Sequence, residues 1–181
     1  MPVKTLITIE EYEALAEPGG ERYELSEGEL VVTPASSFYH NEIRDRIGFR
    51  LKAYVQEHQV GGVTMETDFK LAPHTVRRPD VAFITAEKLK GVDPRTSPLG
   101  TAPDLAIEVQ SPNDDLKRKL TDYLAAGVRV WVIYPDSQTA RIFKPGAEPR
   151  LVDAVKRDAV EDPDLLPGFR LILAEILDAE P

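Results

Sequence analysis

Two short segments put carboxylates among apolar residues: RRPDVAFI, which carries Asp80, and PDLAIEVQS, which carries Glu108. In an extended strand alternate side chains share a face. Leu105, Ile107 and Val109 therefore point one way, and Ala106, Glu108 and Gln110 the other. By the same alternation Asp80 lies with Ala82 and Ile84, opposite Val81 and Phe83. Acids are rarely buried alone, and two brought together raise each other's pKa unless a cation compensates. A hard ion such as Mg²⁺ takes one or two carboxylates together with water and a substrate phosphate, so Asp80 and Glu108 form a candidate ligand pair. An ion held there activates water and neutralises charge on a phosphoryl oxygen, with a nearby lysine as a second electrostatic clamp. Lys117, Arg118 and Lys119 follow on a predicted helix. Lys117 and Lys119 lie about equally far, roughly 70°, from its apolar stripe, and helical geometry does not choose between them.

The elements that must position these groups are legible from periodicity. Thr8 and Glu11 have capping-box spacing ahead of a predicted helix over residues 9–17, ended by Pro18, Gly19 and Gly20. Residues 23–33 read as a hairpin turning near Glu27 and Gly28. Ile43, Ile47, Leu51 and Val55 step by four and mark an amphipathic helix of about 20 residues, stopped by Gly61 and Gly62. Strands are predicted over 63–71, 80–84 and 105–109, with a loop rich in Gly, Pro and Ser over 90–103. Asp114 or Asp115 can start a helix striped by Leu116, Leu120, Tyr123 and Leu124, and Gly127 ends it. Residues 130–134, apolar on both faces, suit a central strand, and 139–144 can pair beside it. From Pro145 onward only LPGFRLILAEIL is strongly apolar. This order predicts an α/β sandwich with a mixed sheet.

The ordered set Tyr23-Glu24-Leu25, Gly28-Glu29-Leu30, Pro79-Asp80-Val81, Glu108-Val109-x-Ser111-Pro112, Lys119 with Tyr123, Gly127-Val128 and Trp131 resembles the Uma-two family of restriction-endonuclease-like proteins, in the PD-(D/E)XK nuclease superfamily. The resemblance runs to about residue 135, and more loosely to Ile176. It implies one restriction-endonuclease-like domain over 1–181, with a mixed central β-sheet flanked by helices. It also implies a metal-dependent phosphodiesterase site that uses Mg²⁺ or Mn²⁺ at Asp80 and Glu108. The superfamily usually places its lysine two residues after the second acid, where this chain has Gln110. In similar proteins the lysine sits on the following helix, and the matching residue is Lys119. The matching hairpin acid is Glu24, a further ligand or water-orienting group, and Gln110 would orient water or the lysine. Lys117, Arg118, Arg78 and His40 are the candidates for substrate contact. The implied partner is nucleic acid, DNA first, and the family's habit suggests a homodimer or higher homo-oligomer.

Blander readings stand beside these. Asp80 can begin a strand and bond Arg77 or Arg78, and Glu108 can be a buried acid neutralised by Lys119 without catalysis. With Gln110 in place of the usual lysine, the alternative is an impaired nuclease fold that serves as a nucleic-acid or protein interaction module. A metal-free acid and base pair acting on a glycoside is a third reading. His40, His58 and His74 lack metal spacing, Trp131 reads as core, and Ser36 and Ser37 have no neighbouring base in sequence. No G-x-x-x-x-G-K-[ST] or G-x-G-x-x-G motif occurs, which excludes those phosphate cradles. With no cysteine there is no disulfide, thiolate nucleophile or cysteine metal site. No apolar run approaches a membrane span and no leader pattern opens the chain, so a cytoplasmic protein without membrane contact is expected. The net charge of −9 opposes general nucleic-acid affinity. By segment, however, residues 1–36 carry −6, 37–60 carry +1, 61–130 carry 0 and 131–181 carry −4, so the stretch with both candidate ligands is balanced.

Overall fold

The structure, a computed structural model, describes residues 6–15, 22–33, 35–112 and 114–177. Chain order begins α1 (Ile9–Glu13), β1 (Arg22–Ser26), β2 (Glu29–Thr33), α2 (Phe38–His58), β3 (Gly61–Met65), β4 (Phe69–Ala72), β5 (Thr75–Arg77) and β6 (Val81–Thr85). It continues with α3 (Ala86–Lys90), β7 (Leu105–Val109), α4 (Leu116–Ala125), β8 (Arg129–Tyr134), β9 (Thr139–Phe143), β10 (Arg150–Asp153), β11 (Ala159–Val160), β12 (Leu171–Ile172) and α5 (Leu173–Leu177). A six-stranded sheet runs β10-β9-β8-β7-β6-β3. Its parallel pair is β7 with β8, joined through α4, and its other pairings are antiparallel. The predicted mixed sheet flanked by helices is the architecture found.

The alternation in β7 holds in three dimensions. Leu105, Ile107 and Val109 share a core with Val81 and Phe83 of β6, Trp131 of β8, and Ile43, Ile47, Leu51 and Val55 of α2, the helix that covers that face. Ala106 packs on the other face with Tyr123, Val128, Val130 and Val132 under α4. Helix α2 starts where the Ser37 hydroxyl accepts from the His40 backbone N–H. Asp115 caps α4 by accepting from the Arg118 N–H. Gly127, at φ +77°, ends α4, with its N–H on Leu124 and the Val128 N–H on Tyr123, the paired bonds of a Schellman motif.

A four-stranded sheet, β2-β1-β5-β4, stands beside the larger one and carries Glu24 and Arg77. Its hairpin turns at Glu27 and Gly28, as predicted, both with positive φ. The single strand expected over 63–71 is instead two strands in different sheets. Glu66 adopts φ +53° and its N–H donates to the Asp80 carbonyl, so the polar stretch after Met65 leaves the ladder. Helix α1 stops at Glu13, since beyond the buried Ile9 and Tyr12 the following apolar residues, Ala14 and Leu15, are exposed; residues 16 and 17 of the predicted helix lie outside the described residues. Thr85 caps the short α3, which periodicity did not show. The tail adds β10 on the edge of the large sheet, the β11–β12 pair, and α5 buried against the α2 core. Among the described residues no helix is long and apolar enough to cross a membrane.

Candidate active site

The antiparallel register that sets Val81 against Ile107 brings Asp80, one residue before β6, beside the C-terminal half of β7. Its Oδ2 accepts from the Val109 N–H at 2.7 Å and its Oδ1 lies 2.9 Å from His40 Nε2. Glu108, 1% exposed, projects toward α4. Its Oε1 accepts from the Tyr123 hydroxyl at 2.8 Å and its Oε2 from Lys119 Nζ at 3.0 Å. The same ammonium lies 3.3 Å from Asp114 Oδ1. Glu24 approaches from β1, where its Oε2 accepts from Arg77 Nη1 at 3.0 Å and its Oε1 from the Arg78 N–H at 2.8 Å. The fully buried Arg77 also donates twice to Asp122 Oδ2 of α4, at 2.9 and 2.7 Å, and so ties the small sheet to the helix that carries Lys119.

The four carboxylates Asp80, Glu108, Asp114 and Glu24, with Lys119 and His40, open on a cleft of about 250 Å³. Burial pushes the Glu108 carboxyl up to about 8; the Lys119 ammonium pulls it down, while the Asp80, Glu24 and Asp114 carboxylates raise it further. Burial likewise raises Asp114, again against Lys119. For Lys119 burial works against the charge, but Glu108, Glu24, Asp114 and Asp80 outweigh it and hold the amine protonated. Burial and the adjacent Glu108 raise the Tyr123 phenol, which stays a donor.

Asp80, Glu108, Lys119, Glu24, Arg78 and His40 all line this cleft. Gln110 does not. It follows the last residue of β7, is exposed, and its N–H donates to the Ile133 carbonyl. Lys117 is also exposed and outside the lining, because two helical residues separate it from Lys119 by about 200°. Arg118 turns to the hairpin, where it donates to Ser26 Oγ and O at 2.7 and 2.9 Å and pairs with Glu29 at 2.9 Å. Asp80 is held by His40 and the Val109 N–H, while Arg77 holds Glu24 and Asp122, and Arg78 holds Asp68 at 2.6 Å. His40 is buried at the cleft wall, and its Nδ1 lies 3.0 Å from Ser111 Oγ.

Asp114, Tyr123 and Ser111 are site residues that sequence reasoning took for a helix start, an apolar stripe and part of a motif. The four-residue spacing of Lys119 and Tyr123 was the available signal, since it stacks them on one helical face. Two carboxylates with hard oxygen donors, facing a cleft, suit Mg²⁺ or Mn²⁺. The described residues hold no cluster of three or more metal-ligating side chains. A magnesium site of one or two carboxylates completed by water and phosphate does not require one.

A comparison with curated proteins finds no match. The chain is similar in structure to the crystal structure of a "putative nuclease belonging to DUF820" from Anabaena variabilis ATCC 29413. The TM-score is 0.81 at 21% identity, covering 94% of this chain and 97% of that one. The two share a fold. The sequence profile of the Uma2 family, described as "putative restriction endonuclease", matches residues 9–175, and the chain belongs to that family.

Proposed function

We propose that the protein is a divalent-metal-dependent nuclease that hydrolyses phosphodiester bonds of nucleic acid, DNA first, in the cleft between α4 and the small sheet. The supporting observation is Lys119, a buried ammonium held 3.0 Å from Glu108 and lining the same cleft as Asp80. Asp80 and Glu108 would hold Mg²⁺ or Mn²⁺, which when bound supplies an activated water and charge neutralisation at phosphorus. Lys119, kept protonated by its carboxylate neighbours, is placed to stabilise negative charge that grows on a phosphoryl oxygen. Glu24 is held by the Arg77 guanidinium and the Arg78 N–H to orient water or complete the ion's surroundings. Arg22 and Arg78 line the cleft in a chain of net charge −9, so contact is local and salt-sensitive. Cutting both strands of a duplex asks for two such sites, and a homodimer belongs to the proposal.

The test incubates the full chain with single- and double-stranded DNA and RNA in Mg²⁺ or Mn²⁺. Cleavage should stop with chelator and in Asp80→Asn and Glu108→Gln; cleavage unchanged in Asp80→Asn would sink the proposal. The second reading, a binding module, draws on the completeness of the network, in which every Asp80 and Glu108 oxygen already has a hydrogen-bond partner. Calorimetry that detects neither Mg²⁺ nor Mn²⁺ uptake by the wild type would favour it.

A further inference from the structure

We propose that β2 is a self-association strand: two copies of this chain pair antiparallel along its outer edge, about a two-fold axis through Val31, and join their small sheets into one. The use of that pair on a duplex rests on the nuclease reading above; the pairing itself does not.

Strand β2 ends the small sheet, whose opposite edge, β4, is closed by the Leu99 carbonyl accepting from the Lys70 N–H. Ser26 and Glu29 flank the two-residue turn and bond each other, and bonded pairs alternate from there. The backbone groups of Glu29, Val31 and Thr33 therefore go to β1. Those of Leu30 and Val32 point outward, where among the described residues no strand pairs with them. Natural sheet edges are commonly blunted by charge. The edge strand β10 of the large sheet carries Arg150 and Asp153, whereas the middle of β2 is Leu30-Val31-Val32, with Leu30 40% and Val32 50% exposed.

This edge is complementary to itself in one register. With Val31 on the axis, Leu30 faces Val32 of the second copy and exchanges both backbone bonds with it, and all the residues of β2 are paired. Glu29 then faces Thr33 rather than a second carboxylate. A shift one way sets Val32 against Gly28, whose N–H and carbonyl are already bonded to His74 and Ile7. A shift the other way sets Leu30 against Pro34, which has no N–H. Because Glu24 pairs with Val31, the Glu24 residues of the two copies stand across the axis three strand spacings apart, about 14 Å. Antiparallel pairing puts the axis perpendicular to the sheet, so both clefts lie on one side of it, where a single duplex can reach both.

The full chain has no cysteine, so single introduced cysteines report the register. A Val31→Cys pair on the axis has a Cα separation of about 4.5 Å, within disulfide reach, while pairs at Leu30→Cys or Val32→Cys stand about 8 Å apart, beyond it. Under mild oxidant, without metal or nucleic acid, Val31→Cys should link into dimers at least about tenfold faster than either neighbour. Random collision gives the reverse order, since Leu30 and Val32 are the more exposed. In sedimentation, wild type should pass from monomer to dimer by about 100 µM. Val32→Lys should weaken this at least about tenfold, because symmetry counts the change twice, and adding Leu30→Glu should restore it by setting a carboxylate opposite the lysine of the second copy. A wild type that stays monomeric overturns the proposal, as does faster linking at Leu30→Cys or Val32→Cys, or a Val32→Lys protein that associates like wild type. A dimer that cuts no nucleic acid counts against the nuclease reading alone, and a monomer that cuts counts against the pairing alone.

Discussion

Replacing Lys119 by methionine keeps the length of the side chain and removes the one ammonium shared by Glu108 and Asp114. Its Nζ sits 3.0 and 3.3 Å from their oxygens. At an effective dielectric of about 20 an ammonium–carboxylate contact at these distances is worth about 5 kcal/mol when the carboxyl is ionised, before the cost of burying the charges, which offsets much of it. The full penalty of stranding a buried carboxylate does not apply to Glu108. Its pKa already stands at about 8 with the ammonium pulling it down, so without Lys119 it moves higher and keeps its proton at pH 7. The expected cost is about 2–4 kcal/mol at pH 7 in urea unfolding. Below about pH 8 that cost is flat. Above it the wild type releases the Glu108 proton and the variant does not, so the gap widens by up to about 1.4 kcal/mol per pH unit. Cleavage should fall about 10²–10³-fold, the usual effect of removing one transition-state charge stabiliser. Cleavage within a few-fold of wild type in a folded Lys119→Met protein refutes the catalytic role, and a cost below about 1 kcal/mol refutes the buried-pair account.

Glu108 has a folded-state pKa raised from 4.5 to about 8, so its contribution to stability is complete below about 4.5 and is lost as pH rises through about 8. Glu108→Gln should therefore flatten the decline of urea-unfolding stability over that window while abolishing Mn²⁺ uptake. Arg77→Met strands the buried Glu24 carboxylate and the half-buried Asp122 carboxylate and should cost about 3–5 kcal/mol, partly recovered by Asp122→Asn in a double-mutant cycle. At Gly61 an added Cβ would collide with the Ile84 backbone carbonyl in the paired strand, while at Gly62 it meets only side-chain atoms, of Leu89 at 3.2 Å and Ile84 at 3.8 Å. Gly61→Ala should accordingly lower the thermal midpoint far more than Gly62→Ala.

Much of the scaffold was legible because local periodicity reports faces. The four-residue steps of Ile43 to Val55 identified the helix that covers the sheet, and strand alternation put Glu108 on the face opposite Ile107 before any neighbour was known. The failures fell where local pattern carries no such information. The 63–71 stretch has enough apolar residues for one strand, but its division depends on its partners: β3 pairs with β6 in the large sheet, while Phe69 and Lys70 pair with β5 and Lys70 donates to the Leu99 carbonyl. Strands β11 and β12, two residues each, are too short to show a period and exist through their mutual pairing.

For the site, composition and spacing determined the kinds of group present: two strand carboxylates, a following helix with cations, and a hairpin acid. They did not determine which groups meet. Lys117 and Lys119 flank the apolar stripe equally, and only the seating of α4 on β7 turns one onto Glu108 and leaves the other in solvent. His40 and Asp80 are 40 residues apart and His40 and Ser111 are 71 apart, yet they form one hydrogen-bonded chain. A side chain's face follows from its own neighbours in sequence, whereas its partner follows from the register and packing of separate elements, which the folded chain alone decides.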